Sequence, residues 1–303
     1  MNADLFLLAL ADGFSYAGLL FLVALGLTLI FGVLGILNVA HGSLYAFGGY
    51  TAATFVTWSL GSGGEAPTAL LLASLVAAAL LIGIVLGVVL ERGLLQRVEG
   101  KDPVVQLLIT FAAFMILEDV LRLIWGTQPY SASEVVTRLG TVDVFGATYT
   151  NYQLFLIPGV ALLAYGTLQY FLRNTRVGKQ MVAATHNAEV ATAMGINAKR
   201  IRLVTFVVGA VLGALGGALA APTTSLVPGV GTDMIVLSFA VIATAGLGQI
   251  TGALIAALMI GMARSIAVYT VPELEVVVPY VIMVLVLLVR PYGLFTVARA
   301  RKI

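Results

Sequence analysis

The chain has 303 residues, of which 60% are hydrophobic and only 10% are charged. Soluble domains carry about 25% charged residues, so this chain has too few charges to cover a water-exposed surface of its size. A lipid bilayer requires no such cover, and the composition predicts an all-α fold, a polytopic transmembrane helical bundle that forms one domain over residues 1–303. The absence of Cys excludes a disulfide framework, a thiol nucleophile and a thiolate metal site.

Uncharged apolar stretches predict where the membrane segments lie along the chain. Residues 13–64 contain no Asp, Glu, Lys or Arg, and they fit two crossings with a break near residues 32–42. Four further segments are predicted at residues 66–90, 103–125, 152–172 and 203–221. The stretch 233–289 fits two full helices and one short or re-entrant piece. The prediction is therefore eight or nine membrane segments, including a short or broken helix.

Lys and Arg are concentrated in three regions, which hold 13 of the 16 basic residues and lie at positions 92–101, 173–202 and 290–302. Because cytoplasmic loops of membrane proteins carry the excess of Lys and Arg, these regions are predicted to be cytoplasmic. We therefore expect a multi-pass protein of a cytoplasmic membrane, with its N-terminus outside and its C-terminus inside. The first four residues contain no Lys or Arg, so no cleaved signal peptide is expected.

The basic region 173–202 is too polar to enter lipid and too long for a simple turn. Small apolar residues recur in it at helical spacing, which predicts one face of a helix formed by Met181, Ala184, Ala188 and Ala191. Glu189 would lie in the first turn of a second short helix, which Gly195 would end. Such a helix lies either in the membrane interface or in a groove of another protein. Its small side chains favour protein contact.

Five stretches carry a family resemblance. They are Gly26 to Ser43 (GLTLIFGVLGILNVAHGS), Glu91-Arg92 with Asp102-Pro103 and Gln106 to Phe111 (QLLITF), the small-residue helix before Met194-Gly-Ile-Asn197, Ala245 to Ala257 (AGLGQITGALIAA), and Leu288 to Phe295 (LVRPYGLF). In this order they resemble the permease subunits of ABC importers of the branched-chain amino-acid type. The resemblance extends over essentially the whole chain.

The resemblance implies that residues 173–202 form a cytoplasmic coupling loop, whose helix sits in a cleft of an ATPase. It assigns the ATPase contact to six residues, Met181, Ala184, Ala188, Glu189, Ala191 and Gly195. The chain lacks the Gly-x-x-x-x-Gly-Lys-Ser/Thr phosphate loop, so ATP is expected on partner ATPase subunits and no cofactor is expected on this chain. No catalytic groups cluster in the sequence, so no enzymatic activity is expected.

The resemblance also implies an importer of a bacterial cytoplasmic (inner) membrane that is assembled from several chains. A second permease subunit, either a copy or a related chain, would complete the pore, and two ATP-binding cassette ATPase subunits would dock below it. A periplasmic or extracellular solute-binding protein would deliver the solute, which is taken up by alternating access. The solute would be a branched-chain or other amino acid, or a related small solute such as an amide or urea. Membrane lipid is expected around the bundle, and no nucleic acid is expected.

Polar residues cluster where the first two segments meet, at Asn38, His41, Ser43 and Tyr45. Unpaired polar groups in hydrocarbon cost on the order of several kcal/mol each, so these side chains are expected to face the bundle interior or a cavity. Two interpretations are open for them. They line the translocation path, or they cap and brace a helix junction.

Some charged residues lie within the predicted membrane segments. Glu118, Asp119 and Arg122 are three and four residues apart, which predicts local ion pairs at the outer interface. Arg264 lies alone in a late segment and either pairs with an acid or reaches towards the interface.

The alternative to an ABC importer is a self-contained secondary transporter, which would need an ion site near the midplane. All 14 acids lie in or near predicted loops and helix ends, which argues against a proton-relay carboxylate.

Overall fold

A computed structural model describes residues 3–61, 66–144, 147–186 and 188–295. Its α-helices in chain order are α1 Ala3–Leu34, α2 His41–Leu60, α3 Thr68–Gly93, α4 Pro103–Trp125, α5 Glu134–Leu139, α6 Ile157–Asn174, α7 Arg176–His186, α8 Ala188–Ala193, α9 Ala198–Ala220, α10 Val230–Ala245, α11 Ile250–Thr270 and α12 Val278–Val289. Within these ranges, six helices are long and apolar enough to cross a bilayer by length and composition. The predicted helical membrane protein is confirmed.

Three other helices decide the number of crossings. α2 has 20 residues but is rich in Gly, Ser and Thr, while α10 and α12 are apolar but only 16 and 12 residues long. A helix that crosses the hydrocarbon core needs about 20 residues, because each residue adds about 1.5 Å. The count of eight or nine segments therefore stays a prediction.

Local sequence signals explain where the long helices begin and end. The Asp102 side chain accepts a hydrogen bond from the Val104 N–H (2.8 Å), and Pro103 occupies the first turn of α4. The Asn197 side chain caps α9 in the same way through the Arg200 N–H (3.0 Å). Gly126 ends α4 with a φ of 77°, a conformation that favours glycine. The predicted helix at 103–125 is thus confirmed residue by residue.

The all-α prediction needs one correction, because residues 141–150 include a small β-hairpin. Strand β1 (Thr141–Val144) pairs antiparallel with β2 (Ala147–Thr150), with Thr141 opposite Thr150. The strands are short and rich in Thr and Val, residues that favour strands, but four residues are too few to show a periodicity in the sequence.

Small residues bring α1, α2 and α9 together at the centre of the bundle. A Cβ added at Gly209 of α9 would lie 2.7 Å from the carbonyl oxygen of Gly26 in α1. A Cβ at Gly217 would overlap the carbonyl oxygen of Tyr45 in α2. Helices in lipid associate through close backbone packing, and glycine at these positions allows it.

The basic regions 92–101 and 173–202 and the described part of the third, residues 290–295, meet at one end of the bundle, here called the basic end. Arg202, at the start of α9, forms an ion pair with Glu99 in the connection between α3 and α4. The Leu294 N–H donates to the carbonyl oxygen of Thr244 near the end of α10 (2.9 Å). A cavity of about 140 Å³ joins these parts and is lined by residues that include Gly32, Met181 and Gly248.

Acidic and uncharged loops meet at the opposite end. The Tyr149 hydroxyl, in the hairpin, donates to the carbonyl oxygen of Leu8 in the first turns of α1 (3.1 Å). Tyr130 and Leu226 exchange two backbone hydrogen bonds of 3.0 and 2.7 Å, which join the loop after α4 to the loop after α9. The loops joined here include Glu134 and Asp143 with one base, Arg138, whereas Lys and Arg predominate at the basic end.

Candidate functional site

The predicted polar cluster lies inside the bundle, at the turn between α1 and α2. All four members are buried, with at most 2% of each residue exposed: Asn38, His41, Ser43 and Tyr45. Next to them, a Cβ at Gly42 would overlap the carbonyl oxygen of Gly231, so the start of α2 packs closely on the start of α10. The turn carries polar groups into the core, where it meets α10.

His41 braces α1 against α9. Its Nε2 donates to the carbonyl oxygen of Val23 in α1 (3.1 Å). A Cβ at Gly213 in α9 would lie only 2.7 Å from the same nitrogen, so the imidazole fills space that glycine leaves open. This geometry is that of a helix brace, the second of the two interpretations that the sequence allows.

Other polar atoms of the cluster have no visible partner. Within the described residues, Asn38 Nδ2, His41 Nδ1 and Ser43 Oγ are buried and make no hydrogen bond. A buried polar group without a partner costs about 1–3 kcal/mol, so native structures seldom retain one without a reason. All three side chains therefore hold a buried polar atom without a partner in the described residues, and His41 in addition bridges α1 and α9.

A buried carboxylate lies at the start of α10. Glu118 of α4 is 5% exposed, and its Oε1 accepts a hydrogen bond of 2.6 Å from the Gly229 N–H. Arg122 lies 3.7 Å from Glu118 and 3.7 Å from Asp119, so the predicted local ion pairs are present. The positive end of the α10 dipole adds a second source of stabilisation for this carboxylate. Sequence spacing could not reveal that contact, since it joins residues 111 positions apart.

Arg264 of α11 is paired rather than alone. Its guanidinium forms an ion pair with Glu275, which follows the short 3₁₀ helix Pro272–Leu274. It also lies 4.0 Å from the centre of the Tyr16 ring in α1, within cation–π range. Of the two possibilities that the sequence left open, pairing with an acid is the one observed.

The predicted coupling helix is divided into α7 and α8. Met181 and Ala191 are buried in this chain, and Ala184 is half-buried. The side chains of Ala188 and Glu189 lie outside the described part of the chain. Gly195 follows α8 with a φ of 84°, as expected for a helix end.

Burial within the chain differs among the described residues of this segment. The small-residue face turns partly towards the bundle, and larger apolar side chains are exposed instead, at Val182, Val190 and Met194. We call these three residues the exposed coupling face. Helical periodicity identifies an apolar face, but it cannot tell whether that face meets the chain's own helices or a partner.

Comparison with known proteins settles the family. The family model described as the permease component of branched-chain amino acid transport systems matches residues 9–287. The chain belongs to this family. It is 26% identical to the LivH high-affinity branched-chain amino acid transport system permease protein of Salmonella typhimurium, over 98% of each chain. It is 27% identical to BraD of Pseudomonas aeruginosa, again over 98% of each.

Two further similarities extend over slightly less of each chain. The permease is 29% identical to the probable branched-chain amino acid transport permease LivH of Methanocaldococcus jannaschii, over 92% of this chain and 89% of that one. Its fold resembles the solved structure of PsaBC from Streptococcus pneumoniae in complex with Fab, with a TM-score of 0.51 and 13% identity, over 93% of this chain and 91% of that chain. The predicted resemblance to ABC importer permeases is confirmed. The permease is a transport protein and not an enzyme, and the importer prediction prevails over the secondary transporter.

Proposed function

We propose that the permease forms the translocation path for amino acids with branched apolar side chains. The observation that carries this is the family match over residues 9–287, together with relatives named for branched-chain amino acid transport over nearly their full length. A second permease subunit completes the pore, two ATPase subunits drive it, and a soluble binding protein delivers the amino acid.

The basic end of the bundle is cytoplasmic in this proposal. The positive-inside rule supports this, because the regions 92–101 and 173–202 both lie at that end. With α2, α10 and α12 counted, nine passes place the N-terminus outside and the C-terminus inside. α10 reaches the basic end, where Thr244 accepts from Leu294, even though it is short for a full crossing.

The exposed coupling face is the contact for the ATPase. Val182, Val190 and Met194 place apolar surface at the basic end, where lipid does not reach in the proposed orientation. Contacts from Ala184, Ala188, Glu189 and Gly195 remain part of the proposal. Met181 and Ala191 act from inside, because they hold the segment against the bundle.

The path runs past the start of α2 in this proposal. Asn38 and Ser43 carry buried polar atoms without partners, and an alternating-access cycle would expose them to water and solute in its other conformation. Tyr45 follows on the same helix, and its backbone is fixed by the close approach of Gly217. His41 holds α1 and α9 in place beside the path.

Reconstitution tests the function directly. The permease, its partner permease and ATPases are placed in liposomes with ATP inside and the binding protein outside. We expect uptake of labelled leucine, isoleucine and valine that requires ATP and continues when the sodium and proton gradients are dissipated. Uptake that follows an ion gradient without ATP contradicts the proposal.

A further inference from the structure

A cavity of about 280 Å³ opens at the basic end, between α1, α3, α4, α7 and α9. Its lining combines apolar and charged side chains, among them Ile36, Ala184, Leu95, Glu91, Glu99 and Arg202. Its volume is just below the range of about 300–1,000 Å³ typical of small-molecule sites. It is separate from the polar cluster, whose four residues do not line it.

One wall of the cavity presents a carboxylate that the protein leaves unpaired. Glu91, near the end of α3, is 3% exposed. Within the described residues it accepts no hydrogen bond and has no basic group within 4.0 Å, although the charges of Arg92 and Arg202 act on it from farther away. A buried carboxylate is costly unless it is paired, so this group favours a ligand that brings a positive charge and hydrogen-bond donors.

The cavity lining also includes a guanidinium, that of Arg202. Arg202 pairs with Glu99, and the two side chains are 27% and 41% exposed. An ion pair that is open to water contributes little free energy, so Arg202 can exchange Glu99 for the carboxylate of a ligand at small cost. Arginine also binds carboxylates in a two-pronged geometry, which fixes their orientation.

The charges around the cavity favour a ligand with no net charge. Glu91, Glu99 and Arg202 line the cavity, and Arg92, which lies outside the lining, adds a second positive charge that acts on Glu91. With Arg92 included the charges balance, so a purely cationic or purely anionic ligand would leave an excess. An α-amino acid zwitterion is neutral overall, with its ammonium suited to Glu91 and its carboxylate to Arg202. The apolar wall, which includes Ile36 and Leu95, suits a branched aliphatic side chain.

We infer that this cavity binds an α-amino acid with a branched apolar side chain, entering from the cytoplasm, as a site distinct from the translocation path. The inference rests on the proposed function for the cytoplasmic location of the basic end. Ala184 of the coupling loop lines the cavity, so a bound amino acid favours the conformation in which α7 lies against α1 and α9. Accumulated amino acid in the cytoplasm would thereby slow further import.

The first experiment measures binding of tritiated leucine to the purified complex of permease and ATPases in nanodiscs, without the binding protein, by scintillation proximity. Unlabelled leucine should compete, whereas 3-methylbutylamine, which lacks the carboxylate, and 4-methylpentanoate, which lacks the ammonium, should compete at least about tenfold more weakly. Equal competition by either analogue overturns the zwitterion site.

Matched variants locate the site. Arg202→Gln should weaken leucine binding by at least about tenfold, and Arg200→Gln, two residues earlier on α9 and outside the cavity, should leave it unchanged. Ala198→Phe, which fills the cavity without removing a charge, should abolish binding. Leucine binding that survives Ala198→Phe in an assembled complex overturns the inference.

The regulatory effect of the bound amino acid is measured as the rate of ATP hydrolysis in the same nanodiscs. Leucine should lower ATP hydrolysis by the wild type and have no effect on the Arg202→Gln complex. If leucine uptake by the reconstituted importer is normal while the nanodisc complex binds none, this inference fails and the proposed function stands. If no leucine is taken up at all, the proposed function itself fails.

Discussion

The carboxylate of Glu118 in α4 accepts a hydrogen bond of 2.6 Å from the backbone N–H of Gly229, at the start of α10. α10 is short and begins within the protein, where its free N–H groups need acceptors. Gly229 adopts a φ of 100°, a conformation that allows the chain to turn into the helix and that other residues rarely adopt. A side chain from another segment thus stabilises the start of α10.

Glu118→Ala is expected to lower the free energy of unfolding by about 1–3 kcal/mol, because the Gly229 N–H loses its acceptor in a buried site. Thermal unfolding in detergent, followed by the fluorescence of Trp58 and Trp125, measures the change. The matched control is Asp119→Ala at the neighbouring exposed acid, where a loss below about 0.5 kcal/mol is expected. Equal losses in the two variants would refute a special role for Glu118.

The packing of His41 against Gly213 gives a second stability prediction. Gly213→Ala places a methyl group against the imidazole and should cost about 1–3 kcal/mol through overpacking. Gly166→Ala in α6 meets no atom within 4 Å and should stabilise the protein slightly, since alanine favours helix more than glycine does. The same fluorescence assay compares them. If Gly213→Ala is as stable as Gly166→Ala, the brace does not exist.

Much of this architecture is predictable from sequence because long uncharged stretches and helix caps are local signals. The helix at 103–125 is an example, since Asp102, Pro103 and Gly126 mark its ends. The contact of Glu118 with Gly229 is not predictable, because it joins distant segments through a backbone N–H. The burial of Met181 and Ala191 within the chain is not predictable for a related reason: the two residues form an apolar stripe, but tertiary packing decides that they face inwards.

The absence of Cys from the sequence makes the orientation directly testable. Single Cys residues at Asn174 and Thr185, both exposed at the basic end, should react with an impermeant thiol reagent only in inside-out vesicles. A Cys at Ser133, just before α5 and exposed at the opposite end, serves as the matched control and should react only in intact cells. Labelling of Asn174→Cys from outside intact cells would reverse the orientation that the basic regions predict.

The last prediction concerns the exposed coupling face. Met194→Asp places a charge on a residue that is 80% exposed, so the permease should fold normally. If Met194 is covered by the ATPase, burying that charge should weaken association by about tenfold or more, as at other interface hot spots. ATPase co-purification and leucine uptake should therefore fall together.

Two further variants separate docking from folding. Gln180→Asp adds the same charge to an exposed residue of α7 outside the exposed coupling face, and it should leave both measurements unchanged. Ala191→Trp should act differently from Met194→Asp, because Ala191 is buried: it should lower the unfolding temperature of the isolated permease through overpacking. If Met194→Asp retains its ATPases and its uptake, Met194 does not contact the ATPase, and the coupling surface must lie elsewhere on the basic end.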